Sequence, residues 1–255
     1  MLLIKAVKLV AIGAFCTMLG GCVSSSGSKD ALSDQEQAAL NLQMGTRYLD
    51  MGMLQVAKEK LEKARELDSG NANIYNALAV LHERIEQFGA AREYYQEALA
   101  LDPDNPSSKN NYGRFLCEQG NYSEGVVLLE QTVQMPLNNR KWIAFTNLGL
   151  CYVQLNQSEQ AERAFRQALE LQPDYAPALL EMQRISYQQR NYMSARAFLE
   201  RYLGVSQHTP KTLWIAVQTE RALGNRKLVE KYQQQLLTLF PGSEQAQQVR
   251  TAVNR

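Results

Sequence analysis

From residue 38 onward, apolar and small residues return on one beat. Blocks that start at residues 38, 72, 106, 142, 176 and 210 lie 34 residues apart, except for one step of 36. Gly45, Ala79, Gly113 and Gly149 hold the eighth position of the first four blocks, and Ala57, Ala91, Gly125, Ala161 and Ala195 hold the twentieth of the first five. The twenty-fourth carries a large apolar residue: Leu61, Tyr95, Leu129, Phe165 and Leu199. Within each block the spacing of apolar positions predicts two amphipathic helices of about 14 residues. A small residue on each lets the axes approach toward the roughly 8–10 Å of tight helix packing. Leu78, Tyr112, Leu148 and Met182 then fill the space between neighbouring pairs. Pro103, Pro173 and Pro241, all at the thirty-second position, end the second helix because proline cannot extend an amide ladder. Gly52, Gly120, Asn156 and Gly224 interrupt the pattern and predict turns.

A 34-residue unit of two helices resembles the tetratricopeptide repeat (TPR), in which each hairpin buries its apolar face only by stacking on its neighbours. The resemblance implies an all-α fold, a superhelical solenoid of six helix hairpins over residues 33–255. Its units fall near 38–71, 72–105, 106–141, 142–175, 176–209 and 210–243, followed by a short polar C-terminal helix. Order is expected to begin at Ser33-Asp34-Gln35-Glu36, which has the spacing of a capping box. Three places depart from the pattern. Met135-Pro136-Leu137-Asn138-Asn139 contains the two-residue insertion and should lengthen the turn before the fourth hairpin. Block five has Gln183 and Tyr202 in slots that usually hold small residues. Block six, with Val217, Val229 and Gln233, is the most degraded, as a terminal repeat with one face toward water can be.

The N-terminus, MLLIKAVKLVAIGAFCTMLGGC, has two lysines, an apolar run from Leu9 to Leu19 and small residues before Cys22. That is the pattern of an export signal, and the run is shorter than the roughly 20 residues of a spanning helix. Leu19-Gly20-Gly21-Cys22 resembles a bacterial lipobox. The resemblance implies a signal peptide over 1–21, lipidation of Cys22 and, since Val23 rather than Asp follows, the periplasmic face of the outer membrane. Residues 22–32 then read as a lipidated, serine-rich flexible tether.

Composition narrows the chemistry. The chain is 45% apolar and 21% charged, with a formal charge of +1. A near-neutral chain lacks the positive field of a nucleic-acid binder. His82 and His208 are its two histidines, too few for a histidine-based zinc site or catalytic relay. There is no Gly-x-Ser-x-Gly elbow, no phosphate-cradling Gly-x-x-x-x-Gly-Lys and no His-Glu-x-x-His. These observations predict a protein that is not an enzyme, with no catalytic residues, cofactor, metal or small-molecule substrate. With Cys16 lost in the signal and Cys22 lipidated, Cys117 and Cys151 remain as thiols. They occupy the twelfth and tenth slots of neighbouring first helices, which reads as two thiols facing different ways and buried separately, with a disulfide as the alternative that export permits.

In TPR proteins the concave face is lined by the second, fifth, ninth, twelfth and thirteenth residues of each first helix. Projected onto this chain, those slots give Leu42, Leu49, Asn76, Arg84, Asn110, Arg114, Arg184, Tyr187 and Trp214 as partner-binding candidates. Asn76 and Asn110 share a slot in adjacent blocks, and an amide side chain can donate to and accept from a peptide unit. Tyr187, Trp214 and the arginines have the character of interface anchors, although an aromatic residue in a solenoid can equally serve packing. Asn110-Asn111-Tyr112-Gly113-Arg114-Phe115-Leu116-Cys117-Glu118-Gln119 and the closing Leu239-Phe240-Pro241-Gly242-Ser243, with lipobox and tether, resemble the type IV pilus biogenesis lipoproteins of the PilF/PilW type. The resemblance implies a pilotin that promotes outer-membrane localisation and multimer assembly of the pilus secretin, with the secretin and the outer membrane as its partners. A periplasmic TPR adaptor that recruits cell-wall enzymes, or a lipoprotein that stabilises the pilus fibre, is the alternative.

Overall fold

Residues 32–253 are described in this computed structural model, and every regular element among them is an α-helix. Twelve helices pair into six hairpins: α1 (Asp34–Asp50) with α2 (Leu54–Leu67), α3 (Ala72–Arg84) with α4 (Phe88–Leu101), and α5 (Pro106–Glu118) with α6 (Tyr122–Gln134). The series continues with α7 (Lys141–Gln154) and α8 (Ser158–Leu171), α9 (Ala176–Gln188) and α10 (Tyr192–Leu203), and α11 (Pro210–Ala222) and α12 (Arg226–Leu239). A thirteenth helix, α13 (Glu244–Val253), follows. The signal peptide, Cys22 and the tether up to residue 31 lie outside the described residues. The capping box forms as the sequence predicts: the Glu36 amide donates to Ser33 Oγ at 3.2 Å and the Ser33 amide to Glu36 Oε2 at 2.8 Å.

The six hairpins close in one way. Gly52, Glu86, Gly120, Asn156, Arg190 and Gly224 all have φ between 58° and 80°. In every hairpin the amide after this residue donates back across the helix end, as from Met53 to the Tyr48 carbonyl at 2.9 Å and from Asn225 to that of Glu220 at 2.9 Å. The left-handed residue itself donates to the carbonyl three before it, as Gly52 does to Leu49 and Arg190 to Tyr187. This double closure satisfies carbonyls that a helix end would leave unpaired. Glu86 and Arg190 were not legible as turn residues, because their side chains advertise helix rather than a left-handed turn.

Packing fixes the register. A Cβ on Gly45 would lie 2.6 Å from Leu61 Cδ2, on Gly113 2.8 Å from Leu129 Cγ, and on Gly149 2.7 Å from the Phe165 ring. The eighth slot of each first helix therefore rests on the twenty-fourth slot of its own second helix. Leu61, Tyr95, Leu129 and Phe165 are fully buried there, each contributing about 1.5–3 kcal/mol relative to exposure. Between hairpins, most connections are four residues long, but residues 135–140 make a loop of six, as the insertion predicts. A second six-residue loop, 204–209, arises differently, because α10 is shorter than its counterparts. In block five Gln183 and Tyr202 are both buried, and neither amide atom of Gln183 has a protein partner. At the C-terminus α13 is more than a polar cover, since Ala246 and Val249 pack with Leu213 and Leu236.

Candidate functional site

Neighbouring first helices α1, α3, α5 and α7 contact one another, whereas the second helices make no comparable contact. The first-helix face is thus the inner, shared face of the array, and polar side chains link its helices in register. Asn147 Nδ2 donates to Asn110 Oδ1 at 2.9 Å, Asn110 Nδ2 to Asn111 Oδ1 at 3.2 Å, and Asn111 Nδ2 to Asn76 Oδ1 at 3.1 Å. This amide ladder spans repeats two to four. It forms one wall of a cleft of about 320 Å³ that Ser107, Asn139, Arg140 and Ile143 help to close. A second cleft of about 320 Å³ lies beside it, lined by Arg114, Glu118, Tyr122, Asn147, Leu150 and Gln154.

The floor of that second cleft is a disulfide, which corrects the expectation of two separate thiols. Cys117 and Cys151 are bonded, with Cα atoms 5.5 Å apart and a sequence separation of 34. Slot number misled because adjacent first helices are staggered. Slot twelve of one repeat faces slots nine and ten of the next, as Glu83 faces Arg114 with Nη2 2.8 Å from Oε2. The two-residue insertion before the fourth hairpin also separates their slot numbers, since the cysteines are 34 residues apart where the local step is 36.

Several candidate residues serve the array itself. Arg114 also binds Glu118 at 2.6 Å. Burial alone would favour its neutral form, but the Glu83 and Glu118 carboxylates outweigh it and hold the guanidinium charged more firmly than usual. Tyr95, fully buried, donates to Glu83 Oε1. Burial and the Glu83 charge push its hydroxyl well above the ordinary phenol range, so it remains a donor. Leu49 is only 3% exposed in the core of the first hairpin, and this removes it from the groove surface. Leu42 packs half-buried against the same core. Arg84 donates to the Leu49 carbonyl at 2.6 Å, tying α3 to the end of α1. Arg184 pairs with Glu181 at 2.7 Å, Tyr187 lies 5.7 Å from the Tyr192 ring, and Trp214 packs half-buried against the C-terminal core. Asn76 and Asn110 are therefore brought together with Arg114, whereas Arg184, Tyr187 and Trp214 stand in later repeats. Asn111 and Asn147, which complete the ladder, were missed because they occupy the sixth position of their helical blocks, one beyond the slot used for the projection. Among the described residues, no group of three histidine, cysteine, aspartate or glutamate side chains is placed to hold a metal ion.

The repeated hairpins, their common closure and the inner groove define a TPR protein, and tetratricopeptide-repeat family models match residues 42–106, 84–144 and 142–175. The chain is 32% identical to the type IV pilus assembly protein PilF of Pseudomonas aeruginosa over 245 residues, 95% of each chain. The solved structure of P. aeruginosa PilF superposes with a TM-score of 0.78 at 31% identity, covering 86% of this chain and 99% of that one. The crystal structure of PilW, described as a widely conserved type IV pilus biogenesis factor, gives 0.75 at 26% identity, with 83% and 97% covered. The chain belongs to the PilF/PilW family of TPR type IV pilus biogenesis proteins. No helix among the described residues is long and apolar enough to cross a membrane.

Proposed function

We propose that this chain is a non-enzymatic outer-membrane lipoprotein, anchored through Cys22 at the periplasmic face, that acts as a pilotin for the pilus secretin. The observation that carries the reading is the likeness to PilF along 95% of both chains. It is supported by the lipobox and by an inner face that offers amides and clefts across three consecutive repeats. A preformed array costs its partner little ordering of the receptor side. An extended partner segment lies along the ladder, where the Asn76 and Asn110 amides keep capacity beyond the bonds they make to each other's neighbours.

The test uses groove positions outside the buried apolar core. Asn76→Ala with Asn110→Ala and Leu150→Glu should remove secretin multimers from outer-membrane fractions, read on a non-reducing gel, while circular dichroism stays helical. Cys22→Ala should leave a folded protein that no longer fractionates with the outer membrane. Normal secretin multimers in a full deletion strain would overturn the pilotin reading.

A further inference from the structure

Charge is distributed unevenly along the solenoid. Residues 33–105, the first two repeats, carry thirteen acidic and seven basic side chains, a net −6. Residues 176–253, the last two repeats and α13, carry five acidic and ten basic, a net +5. The middle is near neutral, so a chain with almost no net charge is strongly polarised end to end.

The two ends also use their charges differently. In the first repeat Lys63 and Arg65 are paired with Glu66 and Glu62, while Arg47, Lys58 and Lys60 make no ion pair among the described residues but stand in an acidic surround. In the last, none of Lys211, Arg221, Arg226, Lys227 and Lys231 makes an ion pair among the described residues. All five are exposed. Of the carboxylates at this end, Glu220 is only 2% exposed and committed to Arg196 of the preceding repeat, and Glu230 is exposed beside the arginines without an ion pair to them. Arg221 and Arg226 meet on a single cleft of about 390 Å³ at the α11–α12 turn, with Val229, Glu230 and Gln233. The cleft reaches the twenty-fourth slot of block six. There Gln233 stands half-buried where Leu61, Tyr95, Leu129 and Phe165 are sealed in.

We propose that this C-terminal end is a docking surface for an acidic polypeptide segment, whose carboxylates enter the cleft between Arg221 and Arg226. The inference rests on the reading of the chain as a protein-binding scaffold and adds the chemistry of what it binds. Planar guanidinium groups suit carboxylates, which they can engage through two parallel hydrogen bonds. The cleft is of a size for side chains rather than a duplex, and Val229 gives it an apolar patch beside the two guanidinium groups. The acidic first repeats repel the same segment, so the field fixes which way along the solenoid a partner lies and raises its rate of encounter.

The test is a matched pair of charge reversals in the full mature chain. The probe is a fluorescein-labelled, glutamate-rich peptide of about ten residues, followed by fluorescence anisotropy at low and high salt. Arg221→Glu, Arg226→Glu and Lys227→Glu together should weaken binding by roughly 20-fold or more. Arg47→Glu, Lys58→Glu and Lys63→Glu make the same change in net charge at the other end and should alter binding less than about threefold. Equal losses in the two variants would mean that only total charge matters and would overturn the proposal. Equal or tighter binding to phosphatidylglycerol vesicles would overturn it in favour of a lipid surface, and salt-sensitive self-association that needs the same three cations would overturn it in favour of a second copy. Secretin multimers are scored separately. Peptide binding with normal multimers in a deletion strain removes the pilotin reading and leaves this surface standing, while multimer loss without peptide binding does the reverse.

Discussion

At the junction of the third and fourth repeats, glycines at slots eight sit directly on Leu129 and Phe165, a disulfide joins α5 to α7, and the amide ladder crosses the same interface. The sixth repeat has none of these: Val217 fills its eighth slot, half-buried Gln233 holds its twenty-fourth, and the Arg196–Glu220 pair ties it to the fifth repeat. Both regions keep the same hairpin closure, with Gly120, Asn156 and Gly224 in the left-handed region. Local backbone geometry is thus maintained where packing is not. The middle is specified by close apolar approach and a covalent bond, and the end by an ion pair and a terminal helix.

Reduction should separate the two regions most strongly. A cross-link between residues 34 apart restricts the unfolded chain by about 3–4 kcal/mol in the loop-entropy treatment. Cys117→Ser with Cys151→Ser, or wild type in reductant, should lose stability on that scale in chemical denaturation. The double variant should then be insensitive to reductant. An unchanged midpoint would show that noncovalent packing alone specifies the middle repeats.

At the other end, Arg196→Ala leaves the carboxylate of Glu220 buried without its partner, and breaking such a pair costs about 3 kcal/mol. The effect should appear in hydrogen exchange as faster opening of α11–α13, with repeats two to four unchanged, because a nearest-neighbour array loses stability locally. Uniformly faster exchange would argue that the solenoid unfolds as one unit.

Gly149→Leu comes next. A Cβ there already meets the Phe165 ring at 2.7 Å, so overpacking should cost about 2–3 kcal/mol. The same slot in repeat six tolerates a branched side chain, and Val217→Leu should cost less than about 1 kcal/mol. Equal shifts in melting temperature would show that slot eight is not what sets the register.

This contrast also explains what the sequence made legible. Slots eight, twenty and twenty-four could be read because each demands one size of side chain, and size repeats visibly at 34 residues. The turns at Gly52 and Gly120 could be read for the same reason. Glu86 and Arg190 take that conformation because the helices on either side impose it, and nothing in their chemistry announces this. The groove was read through slot numbers that ignore stagger between neighbouring first helices. Asn111 and Asn147 were therefore passed over, Leu49 was placed on the surface although its side chain turns into the core, and Cys117 was set apart from Cys151. The hydrogen bonds of Arg84 to Leu49 and of Arg114 to Glu83 are relations between repeats that no single repeat displays.

The smallest expected effect is the most informative about charge. Arg114 and Lys227 are both cations on the solenoid, yet Arg114 is held by Glu83 and Glu118 whereas Lys227 is exposed and has no ion pair among the described residues. Arg114→Ala abandons the largely buried Glu83, to which buried Tyr95 also donates, and should cost about 2 kcal/mol. Lys227→Ala removes only a solvated head group and should stay within about 0.5 kcal/mol. Measured by denaturation at low and high salt, Arg114→Ala should keep most of its deficit when salt screens exposed charges, and Lys227→Ala should have none to lose. A Lys227→Ala deficit as large as that of Arg114→Ala would show that the C-terminal cations are structural, held by the fold and no longer available to a partner.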